Sequence, residues 1–211
     1  LLIRVVNRKY GIWGDLIMKK ILLIIVLTLA IFQMVVLATD IYIGAPAINR
    51  GTVFTQYTTI NNNPANESGI INSVEIWSDT DLANCEVATF YRPDPSGFPN
   101  NFTTRDTYYI GVVLDDAKRT FSVDLDVEAG DYIGIYYTTG TIERDNKGCD
   151  GMWAKSGDYI PCTNINFYNY ATSAISLYGT GTTEVGWSHK WNTKAIAKWN
   201  MAEFTKWNGS E

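Results

Sequence analysis

The chain runs to 211 residues, with 17 Lys plus Arg against 22 Asp plus Glu, one His and three Cys. That acidic balance excludes the phosphate-neutralising surface a nucleic-acid binder needs. The sole His189 lies near the C-terminus, so the body can build neither a Ser-His-Asp nor a Cys-His arrangement.

The chain begins at Leu1, and residues 1–17 read as upstream translated sequence or the edge of a fragment. Met18 is followed by Lys19, Lys20, the apolar run ILLIIVLTLAIF over 21–32, Gln33, and MVVLA ending at Ala38. A short positive region, an apolar core and small residues at Val36 and Ala38 predict a secretory signal over 18–38, cut before Thr39. The alternative is an uncleaved anchor, because residues 21–38 reach the length a bilayer needs, and it would be the one membrane contact. Both readings make the remainder secreted or cell-surface. About 170 residues then remain, enough for one domain with a proper core. Their charge is uneven. Residues 39–184 carry 8 Lys plus Arg against 19 Asp plus Glu, a net of −11, whereas residues 185–211 carry a net of +2.

From Thr39 to about Gly181 the dominant period is two. Strands are expected at GTVFTQYTTI (51–60), GIINSVEIW (69–77), CEVATFYR (85–92), TYYIGVVL (107–114), FSVDLDV (121–127), YIGIYYTTG (from Tyr132), GMWAKSG (151–157) and AISLYGTG (174–181). FSVDLDV puts Phe121, Val123, Leu125 and Val127 on one face and Ser122, Asp124 and Asp126 on the other. With EAGD as a turn, it and the strand from Tyr132 read as a hairpin. NNNPANESG, RPDPSGFPNN, DDAKR and RDNKGCDG supply turn chemistry between strands. Eight or nine short strands without an amphipathic helix predict an all-β, antiparallel β-sandwich over 39–181. At this length a jelly-roll arrangement is preferred, with an open barrel as the alternative.

LDVEAGDYIGIYYTTGTIERDN, together with NPANESG, SVEIW, CEVATFY, SGDYIPCTN and AISLYGTG, resembles a sandwich module that recurs in environmental microbial and viral sequences beside other secreted β modules. The resemblance covers most of residues 40–182 and rests on turn and strand signatures. It implies a fold and brings no functional residues with it.

Among the cysteines, Cys149 and Cys162 both sit in polar loops and are expected to form a disulfide. Cys85 opens an apolar strand and is expected to be a buried thiol. Acidic loops offer oxygen ligands for a structural Ca2+, with Asp145 and Asp150 in ERDNKGCDG ahead of Asp79 and Asp81 in WSDTDLAN. Otherwise no cofactor is expected. A glycosidase would need two carboxylates across a cleft, for which Glu75 and Glu86 are the candidates, though each sits between apolar residues as a solvent-facing strand position does. WAKSGDYIPCTNINFYNY gathers Trp153, Tyr159, Asn166, Tyr168 and Tyr170. Aromatic faces beside amides suit a polyhydroxyl ligand, and FYNY breaks the alternation that would bury every ring on one side.

Residues 182–211 are a Gly/Thr-rich linker and a tail that from Lys190 repeats Lys-Trp-Asn at a spacing of eight, with Trp191, Trp199 and Trp207, and Phe204 five residues after the second Trp. An even spacing returns each Trp to one side of a strand, whereas on a helix the rings would spiral off any face. Three short units cannot bury their own rings, so these residues are expected to be docking anchors for a partner or a second copy of the chain. The alternative is an array that continues past the end of the sequence. The tail resembles short terminal repeats of viral and microbial surface proteins. The sequence therefore points to an exported, non-catalytic binding or assembly module whose partner is a glycan or a cell-surface or virion protein. A structural subunit of a virion or surface appendage is the alternative, and an extracellular glycoside hydrolase the third reading.

Overall fold

The computed structural model describes Lys20 and residues 38–183. The apolar run of the expected signal segment and the Lys-Trp-Asn tail with Trp191, Trp199, Phe204 and Trp207 lie outside the described residues. The described body is all-β and antiparallel, as expected.

Among the described residues thirteen strands follow one another: β1 (Asp40–Ala45), β2 (Thr52–Phe54), β3 (Tyr57–Asn61), β4 (Gly69–Tyr91), β5 (Asn101–Val113), β6 (Lys118–Val127), β7 (Tyr132–Tyr136), β8 (Thr139–Asp145), β9 (Met152–Ser156), β10 (Ile165–Asn166), β11 (Tyr168–Tyr170), β12 (Ala174–Ile175) and β13 (Leu177–Thr182). The main path of the sheet is β1-β13-β4-β7-β3-β9-β11.

β4 organises the whole. Its first part pairs with β13 and β6, its middle with β8, and its last part with β5 and β7. Residues 78–84, expected as an acidic loop, are thus the middle of a strand. Thr80 and Thr141 hydroxyls meet at 2.9 Å there, and Thr141 donates to the Asp79 carboxylate at 3.0 Å, so polar side chains pair across the strands. Register shifts at Ser78/Thr80, Thr80/Ala83 and Leu82/Cys85 bend the strand, as bulges do. The bend brings the ends of β4 together: Thr89 donates to the carbonyl of Asp126, whose strand partner is Ile70.

The expected hairpin between 121–127 and the strand from Tyr132 does not form. β6 pairs with the first part of β4 and β7 with the last part. The tight turn between them instead carries the chain from one part of the sheet to the other. It is fastened by the Asp131 N–H to the Glu128 carbonyl, the Glu128 N–H to the Asp131 carboxylate, and Arg105 of β5, which pairs with both acids.

Two apolar clusters result. Ile43, Ile71, Val74, Val87, Leu125, Ile133, Ile135 and Leu177 belong to the larger one. Ile60, Ala88, Phe90, Phe102, Tyr132, Trp153 and Phe167 belong to the second. Alternate residues of β4, β7 and β9 feed opposite clusters, so this part of the sheet is buried on both faces. β1 and β13 lie close against β7. A Cβ added at Gly44, where φ is +83°, would stand 2.7 Å from Ile133 Cγ2, and one at Gly179 would stand 3.2 Å from Ile133 Cδ1.

All three cysteines are free. The expected Cys149–Cys162 disulfide is absent because different neighbours hold the two loops. The Cys149 N–H donates to the Thr172 carbonyl at 3.1 Å, while the Cys162 N–H donates to Thr104 Oγ1 on β5 at 2.8 Å. Cys85 is fully buried in β4, as expected, and burial pushes its thiol well up.

Candidate ligand groove at the β9–β11 edge

The segment from Ile165 to Tyr170 changes partners within one residue. Ile165 and Asn166 pair with Phe102 and Asn101 of β5, whereas Tyr168–Tyr170 pair with Ala154–Met152 of β9. Phe167 is the pivot. Its N–H donates to the Asn100 carbonyl at 2.9 Å, and its buried ring lies edge-on to Phe90, Phe102 and Tyr159. The two halves splay, and a groove of about 520 Å3 opens between β9 and this segment.

Tyr57, Asn100, Lys155, Asn166, Tyr168, Asn169 and Tyr170 line it, with Ala154, Ser156 and Phe167. Three of the five residues singled out from the sequence, Asn166, Tyr168 and Tyr170, therefore meet at one groove. Trp153 does not join them: it is 3% exposed, packed on Phe102 and Tyr132. It still touches the wall, because its indole N–H donates to Asn100 Oδ1 at 2.9 Å. Tyr159 packs against Phe167, and the Lys155 ammonium lies 5.0 Å from its ring centre.

The aromatic lining continues as a row. Tyr168 meets Tyr170 at 5.1 Å, Tyr170 meets Phe54 at 5.8 Å, and Phe54 meets Tyr57 at 4.8 Å between ring centres. Tyr168 is 70% exposed, so one face of the row is open to solvent. The Arg144 guanidinium lies 4.8 Å from the Phe54 ring centre and 5.7 Å from that of Tyr170, and its buried Nε has no hydrogen-bond partner.

Sequence reasoning missed Tyr57, Asn100, Lys155 and Arg144. They come from four separate stretches, and no local pattern marks them. The one usable signal was composition: Lys155 stands among aromatics in the segment already singled out.

The acidic positions are occupied otherwise. Asp145 forms a 2.6 Å salt bridge with Arg50, and Asp150 accepts from the Asn63 amide at 2.7 Å. Among the described residues no group of three or more His, Cys, Asp or Glu could hold a metal ion. Glu75 pairs with Lys118 at 2.9 Å, within the β13 and β6 part of β4. Glu86 lies further along the same strand between β5 and β7. Burial and the nearby Asp158 raise the Glu86 carboxyl above its ordinary value, against a hydrogen bond with Thr107 that lowers it.

No protein-family model matches the sequence, and no curated protein matches it.

Proposed function

We propose that this chain is an exported, non-catalytic binding module. Its sheets pack as a sandwich in jelly-roll fashion, and its groove at the β9–β11 edge takes a carbohydrate chain. The contact of Ile133 with Gly44 and Gly179, across strands that share no hydrogen bond with β7, supports the sandwich. Kinship with the recurring secreted module fits the same reading through its turn and strand signatures. In this reading the signal segment directs export and the Lys-Trp-Asn tail attaches the module to a cell-surface or virion partner.

One observation carries the ligand class: Tyr168 is exposed beside Tyr170, with the amides of Asn100, Asn166 and Asn169 in the same groove. Sugar rings present apolar C–H faces that stack on aromatic rings, and hydroxyls that amides bind in both directions. The test is a glycan array probed with the chain from Thr39 to Glu211, alongside its Tyr168→Ala variant. Binding to a discrete set of glycans that the variant loses supports the reading. No binding, or binding that survives the substitution, sinks it.

A second reading, a structural subunit, has an observation of its own. Apart from β4, β5 pairs among the described residues only with the two-residue β10; its Tyr109 and Val112 are exposed, as is Leu114 just past its end. An open edge with apolar side chains suits assembly. Light scattering of Thr39–Glu211 and Thr39–Thr183 separates the readings. A large assembly favours the subunit, and a small discrete species favours the binding module.

A further inference from the structure

The body is strongly acidic, yet no carboxylate lines the groove, which carries Lys155 instead. Three cations near this edge share an unusual situation. Arg92 lies 5.0 Å from the Tyr132 ring centre and 5.6 Å from that of Trp153, Arg144 lies over Phe54 and Tyr170, and Lys155 lies over Tyr159. None of the three forms a salt bridge among the described residues, whereas Arg50, Arg105 and Lys118 do. Each is also tied to the groove. Lys155 and Tyr170 line it, and Asn100, which lines it too, accepts the indole N–H of Trp153. Asp158, the acid closest to Lys155 in sequence, accepts the Ile160 N–H at 3.0 Å.

Cations held on rings keep their charge for a further partner, because the ring quadrupole attracts without neutralising. Set around a carboxylate-free groove, they create a local positive field in an acidic protein. We infer that the groove selects an anionic glycan, a hexose polymer bearing carboxylate or sulfate groups, with the tyrosines stacking the sugar and Lys155 meeting the acid. This rests on the carbohydrate reading above and narrows it to one ligand class. A negatively charged polymer would be repelled by most of this surface, so binding would be confined to the groove.

The experiment is calorimetric titration of the chain from Thr39 to Glu211 with a uronate oligomer, a sulfated hexose oligomer and a neutral hexose oligomer of equal length. Lys155→Gln, Tyr168→Ala and, as an exposed control cation, Lys147→Gln are run in parallel. At low salt an acidic oligomer is expected to bind about fivefold tighter than the neutral one, the scale of one exposed ion pair. Lys155→Gln should remove that preference, as should raised ionic strength, and Lys147→Gln should leave it. A preference for uronate identifies carboxylate as the recognised group, and one for the sulfated oligomer identifies sulfate. Equal affinity for neutral and acidic oligomers, reduced alike by Tyr168→Ala, overturns this inference and leaves the carbohydrate reading standing. Binding of none of the three in a folded protein overturns both. An oligothymidylate that binds as tightly as the acidic sugars overturns the inference too, because charge alone would then suffice.

Discussion

Asn61 and Ile175 pair as two strands pair, with a side chain standing in for one backbone. Asn61 Oδ1 accepts the Ile175 N–H at 3.1 Å, and Nδ2 donates to the Ile175 carbonyl at the same distance. Nδ2 also donates to the Leu177 carbonyl at 3.1 Å. Asn61 is fully buried, so no water can replace these bonds. They join β3 to the end of β12 and the start of β13, neither of which β3 otherwise pairs with.

Asn61→Leu keeps the branched shape and takes the side-chain partner from three buried backbone groups, the Ile175 N–H and carbonyl and the Leu177 carbonyl. Each unsatisfied group costs ~1–3 kcal/mol, so a loss of about 3 kcal/mol or more is expected in urea unfolding of residues 39–211. An unchanged midpoint would show that the segment repacks without the asparagine.

Arg50 ties a different set of elements. Its guanidinium donates to Asp145, to Ser176 Oγ at 2.8 Å and to the Pro46 carbonyl at 2.8 Å, and its own N–H donates to buried Glu143 at 2.8 Å. Arg50→Met removes the partner of Asp145, whose side chain is 37% exposed so that solvent offsets part of the loss, together with the bonds to Ser176 and Pro46, and should cost about 1–2 kcal/mol. With Asp145 paired to Arg50 and Asp150 to Asn63, a chelator is expected to take no calcium from this loop. The melting temperature should be the same in EDTA and in millimolar calcium. A rise in calcium would mean that the loop rearranges to bind it.

Free thiols make a chemical prediction. Cys149 is partly exposed and should react first with a thiol reagent in the native state. Cys162 should follow more slowly, since burial raises its thiol and bonds with Thr104 only partly offset that. Cys85 is fully buried, and its raised thiol should react only after unfolding. Intact mass without reductant should match three reduced cysteines. A mass two hydrogens lighter would restore a disulfide.

How much of this was readable in advance follows from the physics of each element. Period-two runs such as GIINSVEIW and FSVDLDV form strands because one face of each meets a core. WSDTDLAN was not readable as strand, since its polar residues find their partners far away in sequence: Asp79 and Thr80 at Thr141 of β8, and Ser78 and Asp81 at Leu114 and Asp115. The hairpin expectation failed for a related reason. A tight turn fixes the direction of the chain but not which partner each strand finds, and here both strands pair with β4. At the groove, the broken alternation of FYNY did signal divided burial, with Phe167 inside and Tyr168 outside. Trp153 was misread because β9 is covered on both faces, so its alternation carries no outward side.

Glu86 gives the pH test. Its carboxyl is raised above the ordinary 4.5, first by burial and then by Asp158. An acid that holds its proton more tightly when folded stabilises the fold fully below the unfolded value. That contribution is lost as pH rises through the folded one. Wild-type stability should therefore carry a penalty from Glu86 that sets in above about pH 4.5 and grows as pH rises through the folded value. Glu86→Gln keeps the shape and an acceptor for Thr107 but has no charge to bury. Relative to wild type its melting temperature should show no added gain near pH 4 and a growing gain toward pH 7. Asp158→Asn should show the same sign with a smaller effect, because repulsion from Asp158 is the lesser of the two causes. A Glu86→Gln variant that loses stability at pH 7 would show that the carboxylate holds a favourable partner, and the burial argument for this position would fall.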